Sequence, residues 1–468
     1  MHSGHKFGGK MSQTAEKRQE ELGTAPVTGL MLRMAIPGII AQLINILYSI
    51  VDRVYIGHIH DVGTAALTGV GLTFPIITFV SAFAMIVGAG GAPLAAIALG
   101  KKDRKQAERI LGTGVFLLIA FAICIMAVFY IWKQPFLRMF GASDVTLPYA
   151  DAYLCIYLVG TIPVMLYLGL NQYIIAQGKA LTAMLSVGIG AVLNLILDPL
   201  FIFVFHMGVR GAAVATVISQ SASAVWVVRT LVNRNASLTL RRENIRPVAS
   251  VIKEIVSLGI SPFIMTSTES LISIVINHGL SVYGGDLYVG SFTIIQSIMQ
   301  IISAPVNGFT QGVQPIISYN YGAGNIARVR STYRRMIVCT FLFVCLMTVS
   351  VMVFPQQYAS VFSTQKELIE LVGKVMPVFM CGMLVFGIQN GIQPTFVALG
   401  QAKISLFIAV LRKIILLIPL AIIFPHFWGV MGVYYSEPVS DILSATTASI
   451  LFLLYIPKIL DRRAQEGE

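Results

Sequence analysis

Two carboxylates stand where the surrounding sequence makes a charge expensive. Asp198 lies in the run from Ala180 to Phe205, which is otherwise almost wholly apolar. Asp52 lies in a second mostly apolar run, Gly29 to Ile56. Each is long enough to cross a bilayer, since ~20 apolar residues span the hydrocarbon core. An ionisable group at that depth is retained where it faces a partner or a water-filled cavity. Asn194 precedes Asp198 by four residues and shares its helix face. Thr216 lies about two turns into the next apolar run. Together they offer hard oxygen ligands for Na⁺ at Asp52, Asn194 and Asp198, or a carboxylate pair that shares a proton. Pro199 has no N–H, so the Leu195 carbonyl is freed as a further acceptor. The competing reading is a structural ion pair. Arg53 adjoins Asp52, but neighbours in sequence do not face each other on a helix, and the run holding Asp198 has no basic residue.

The rest of the chain says what positions these groups. Of 468 residues, 56% are hydrophobic and 12% charged, with a mean hydropathy of +0.79. Soluble domains carry about 25% charge, so this is a polytopic membrane protein. The net charge of +12 does not point to nucleic acid, because the basic residues sit in short loops between apolar runs. All five cysteines fall inside apolar runs, which argues against a disulfide framework. The first 27 residues are polar and lack the apolar core of a cleavable signal.

Twelve spans are expected, near 30–55, 64–99, 108–132, 147–175, 180–205, 209–232, 254–283, 287–320, 331–355, 368–398, 403–425 and 429–457. Alternate connections and both termini hold 25 of the 33 basic residues. Basic loops stay in the cytoplasm, so both termini are expected inside. Counting inward from the span ends then puts Asp52, Asp198 and Thr216 in one outer-half layer. The chain is also a duplication. Gly90, Pro93, Gly100 and Gly178 recur 222 residues later as Gly312, Pro315, Gly322 and Gly400, and Gly208 and Gly211 recur as Gly429 and Gly432. Six spans per half is even, so the halves are parallel repeats, an architecture that can rock about a central site. The organisation is a tail over 1–28, bundles over 29–232 and 254–457, a basic linker over 233–253, and a tail over 458–468. The fold class is all-α integral membrane.

The stretches AIPGIIAQLINILYSIVDRVYIGH, NLILDPLFIF and GVRGAAVATVIS resemble the first, fifth and sixth spans of the MATE family of multidrug and toxin extrusion transporters, and most closely its bacterial DinF-like branch. The resemblance covers essentially the whole chain. It implies a cation-coupling site at Asp52, Asn194, Asp198 and Thr216, and a role for Pro37 in bending the first helix; an ordinary membrane-helix proline is the alternative. In the second half Asn277 falls opposite Asp52, and no carboxylate falls opposite Asp198. Glu269 lies mid-span and is read as a second cation or substrate group, or as hydrogen-bonded to a nearby Ser or Thr. Gln389, Asn390 and Gln393 are candidates for the cavity wall. Glu437 and Asp441 are read as salt-bridged to Arg412 and Lys413.

No GxxxxGK[ST], HExxH or paired Cys-x-x-Cys occurs, so an enzyme is not expected and an ion gradient must supply the energy. The resulting expectation is a secondary antiporter in the inner membrane. It acts as a monomer without cofactor and exports small amphipathic, mostly cationic compounds against H⁺ or Na⁺. The alternative is a flippase for a lipid-linked saccharide or another amphiphile.

Overall fold

The computed structural model describes residues 20–59, 63–233 and 236–466. Most of the expected N-terminal tail lies outside these residues. Every span is a helix, and no strand occurs among the described residues. The spans are α1 (Val27–Gly57), α2 (Gly63–Gly100), α3 (Arg104–Met139), α5 (Ala180–Val204), α6 (Val209–Val232), α7 (Ala249–Gly284), α8 (Asp286–Gly322), α9 (Ile326–Val353), α11 (Ala402–Trp428) and α12 (Val430–Gln465). Two further spans are bent pairs: α4 (Leu147–Val159 with Thr161–Ala176, 60°) and α10 (Lys366–Met380 with Met383–Ala398, 48°). The α4 bend falls at Gly160, where a methyl group would lie 2.5 Å from a Val217 methyl on α6. α12 continues to Gln465, so the basic residues at 458–463 extend the helix.

The duplication is visible in how helices start and turn. Asp103 caps α3 by accepting from the Gln106 N–H at 2.9 Å, and Asn325, 222 residues later, caps α9 by accepting from Arg328 N–H at 3.3 Å. A side-chain oxygen at that position satisfies an otherwise orphaned helical N–H. Gly208 and Gly429, which open α6 and α12, hold φ of 55° and 56°, a left-handed conformation that favours glycine.

The two bundles meet along reciprocal pairs, α1 on α8 and α2 on α7. Glycines let the backbones touch. A side chain at Gly38 would collide with the Gly308 carbonyl, one at Gly90 with Gly259, and one at Gly322 with the Ile97 carbonyl. These contacts lie in the half of the molecule that carries both termini. There, Asn320 Nδ2 donates to the Leu22 carbonyl at 2.8 Å, and Arg463 Nη2 donates to the Gly322 carbonyl at 2.6 Å. The linker is strapped to the first bundle at the same end. Arg104 Nη2 donates to the Ala236 carbonyl at 2.9 Å, and Arg241 Nε lies 3.1 Å from Glu108 Oε2.

Candidate functional site

Asp52 sits near the far end of α1, and Asp198 sits in the last α-helical turn of α5, before Pro199 and a wide π-helical turn over Leu200–Val204. α1 packs on α5, and α5 on α6. That packing brings the Asp52 and Asp198 carboxyl groups within hydrogen-bonding reach of each other. Asn194 Nδ2 donates to Asp198 Oδ1 at 3.1 Å and approaches Thr216 Oγ1 at 3.5 Å. Asp198 is fully buried, Asn194 and Thr216 are buried, and Asp52 is half-buried. The four residues singled out in the first half therefore share one locus.

The locus has no built-in countercharge. Neither aspartate forms an ion pair among the described residues. Arg53 is exposed, with its guanidinium 4.6 Å from the Phe74 ring centroid. Asp52 Oδ1 and Asp198 Oδ2 are buried without a hydrogen-bond donor. An unpaired carboxylate in such surroundings is costly unless a cation or proton joins it. Beside it lies a cavity of about 30 Å³ lined by Asn45, Tyr48, Tyr167, Asn194, Thr216 and Gln220. A water needs roughly 10–15 Å³ and two to four polar partners, so the space suits one or two waters or a small cation.

Several lining residues were not singled out from sequence. Asn45 and Tyr48 precede Asp52 by seven and four residues, and Gln220 follows Thr216 by four, so helical spacing alone could have flagged them. Tyr48 engages Gln220, and Tyr153 engages Thr216. Tyr153 and Tyr167, from the bent α4, carried no such signal. Pro37 is buried inside α1 and lines an adjoining cavity of about 210 Å³, with Gln42, Asn45 and Tyr167 on its side and Gln311 of α8 opposite.

The second-half candidates are engaged separately. Glu269 pairs with Lys413, Nζ to Oε1 at 2.6 Å, rather than with a Ser or Thr. Its side chain is 57% exposed, whereas Lys413 is buried. Gln389 accepts from Ser444 Oγ at 2.9 Å, and Gln393 donates to Ser261 Oγ at 3.3 Å. Asn390 is half-buried on α10, and the Asn277 Oδ1 is buried without a donor. Arg412 takes both α12 acids, Asp441 at 2.8 Å and Glu437 at 3.1 Å, matching the interhelical salt bridge read from sequence. Lys413 turns instead to α7.

The MatE family model matches residues 37–200 and again 262–423. The Multidrug export protein MepA of Staphylococcus haemolyticus (strain JCSC1435) is 26% identical over 426 residues, covering 91% of this chain and 92% of that protein. MepA of Staphylococcus aureus (strain MSSA476) is 25% identical over 430 residues, covering 92% and 94%. Among solved structures, a MATE protein in the bent conformation superposes with a TM-score of 0.87 at 23% identity, covering 96% of this chain and 99% of that one. An outward-facing multidrug resistance MATE family transporter of the MOP superfamily gives 0.84 at 22%, covering 93% and 99%. The family match falls once on each bundle, and the fold agrees with that of solved MATE proteins over nearly its whole length. The chain is a multi-pass membrane transport protein and belongs to the MatE family.

Proposed function

We propose that the chain is a secondary active antiporter that exports small amphipathic, mostly cationic compounds in exchange for H⁺ or Na⁺, with both termini in the cytoplasm. The observation that carries this reading is the Asp52–Asp198 pair, buried together without a basic partner. In the proposed cycle a cation entering from outside neutralises the pair, assisted by Asn194 and Thr216. Neutralisation removes the penalty of carrying two charges through an occluded state. Bound cation and bound substrate must favour different states for one to drive the other. Pro37 supports this reading by its place on the wall of the 210 Å³ cavity, where a change in the bend of α1 would alter the space. Glu269, Asn277, Gln389, Asn390 and Gln393 are proposed as second-half cavity groups.

Everted vesicles loaded by ethidium uptake test the coupling, with an imposed pH gradient in one arm and an imposed Na⁺ gradient in the other. Coupled uptake in one arm, lost in Asp198→Asn protein that inserts normally, is expected. Gradient-independent equilibration, or full coupling in Asp198→Asn, refutes the mechanism. A flippase for anionic lipid headgroups would want free cations in the cavity. Arg412 and Lys413 are candidates, but each is paired with carboxylate, which favours the antiporter.

A further inference from the structure

The second bundle holds its own charged cluster at the place that corresponds to the first bundle's acid site. Gly208 and Gly211 of α6 recur as Gly429 and Gly432 of α12, a shift of 221 residues. The same shift carries Ser219 to Ser440 and Ser223 to Ser444, which fixes the register. Thr216, which touches Asn194, then corresponds to Glu437, and the cavity-lining Gln220 corresponds to Asp441. On the partner helix, Arg412 and Lys413 fall opposite residues 190–193 of α5, one turn before Asn194. A π-helical turn over Leu411–Leu417 carries both basic residues. It sends Arg412 to Asp441 and Glu437 and Lys413 to Glu269.

The charges in this cluster do not balance. Glu269, Glu437 and Asp441 are three acids, and Arg412 and Lys413 are two bases. The Cys381 thiol at the α10 break is the other titratable group facing Asp441. Asp441 is fully buried, and its Oδ2 has no donor. Arg412, Lys413 and Glu437 are at most 5% exposed. One α10 amide in the same α10–α12 seam, Gln389 Nε2, is buried without an acceptor. A surplus negative charge enclosed among apolar helices carries a large desolvation cost. Arg412 can neutralise one of its two carboxylates and not both.

We propose that Glu437 and Asp441 share one exchangeable proton, making the second bundle a proton-binding site in its own right. The proton enters as H⁺ from water and bonds to a carboxylate oxygen of the pair, so the cluster passes from net −1 to neutral. In the antiport reading above, this site adds a second coupling proton, and only that consequence depends on the reading. The site's existence does not.

Infrared difference spectroscopy in the carboxylic-acid C=O region tests it directly. The starting protein is the full chain with Asp52→Asn and Asp198→Asn, so the first-bundle acids cannot contribute and transport is not the readout. At neutral pH this protein should show a protonated buried carboxyl that alkaline pH discharges. Glu437→Gln and Asp441→Asn should each abolish the band, because the remaining carboxylate is then balanced by Arg412. Glu269→Gln, at the exposed edge where folding is least at risk, should abolish it too, since the cluster becomes two acids and two bases. Absence of the band from the starting protein, or its persistence in any of these variants that folds, overturns the proposal.

Discussion

Substituting Gly312 with alanine should shift the balance between the conformations of the two bundles while leaving the acid site chemically intact. A β-carbon at Gly312 would lie 2.5 Å from the Met34 carbonyl oxygen and 2.8 Å from the Ala35 α-carbon, both backbone atoms of α1. Carbon contacts settle near 3.5–4.0 Å, so α8 must retreat from α1 by about 1 Å. No side-chain rotation can relieve a clash with backbone. Overpacking of this kind costs about 1–3 kcal/mol, which is roughly a 5- to 150-fold shift in a two-state equilibrium. The penalty falls only on the state in which the bundles touch at the terminal end, so the population with that end open should rise by that factor. Spin labels on the α2–α3 and α8–α9 turns would read the change as a longer distance component, and ethidium efflux should slow with it. Gly188→Ala is the control, because a β-carbon there meets nothing within 4 Å. An unchanged distance distribution together with wild-type efflux in Gly312→Ala would refute the idea that this backbone contact seals the bundles.

Four other outcomes are expected. Asn194→Leu removes the only side-chain donor that Asp198 has among the printed partners of its carboxylate, Asn194 Nδ2 at 3.1 Å; loss of coupled ethidium efflux at normal membrane expression is the expected result, read in vesicles. Arg412→Met leaves Glu437 and Asp441 buried without their cation and should destabilise the protein by about 3–5 kcal/mol, whereas adding Glu437→Gln and Asp441→Asn should restore most of the thermal midpoint. Phe263→Ala deletes the α7 ring that lies 5.0 Å from Phe83 and 6.1 Å from Phe79 on α2; a loss of about 3–5 kcal/mol in stability is expected at most, measured by thermal unfolding. Asp103→Ala and Asn325→Ala remove duplicated helix caps and should each cost about 1 kcal/mol, equally in the two bundles.

How far the sequence could be read depended on whether a feature was local. Span positions follow from runs of apolar residues, and each of the twelve expected segments coincides with a helix or a bent pair. The duplication was legible because glycines at helix ends and crossings cannot drift: Gly90 and Gly312 each sit against the backbone of the opposite bundle. The convergence of Asp52, Asn194, Asp198 and Thr216 followed from counting depth along three helices. Helix rotation was much harder to read. Arg412 and Lys413 are adjacent in sequence, and the π-helical turn that carries them shifts the register of every later residue by part of a turn. An α-helical wheel therefore cannot say which of the two reaches α12 and which reaches α7. The bends of α4 and α10 were invisible for a related reason, since each lies inside a continuous apolar run and is fixed by a neighbouring helix.

The two bundles share a backbone plan and differ in where positive charge comes from. At the first site the cation must arrive from solution, because nothing in α1, α5 or α6 supplies one to Asp52 and Asp198. At the corresponding second site, Arg412 and Lys413 are tethered cations that cannot leave. A duplicated fold can thus keep one half as the responsive element and make the other stiffer, since a buried arginine held by two carboxylates resists rearrangement that would separate them. The stiff half then serves as the surface against which the first bundle moves, and the Gly38–Gly308 and Gly90–Gly259 crossings are the bearings of that motion. If so, neutralising the tethered charges in pairs should loosen the second bundle without abolishing ion dependence, whereas neutralising Asp198 should abolish ion dependence without loosening either bundle.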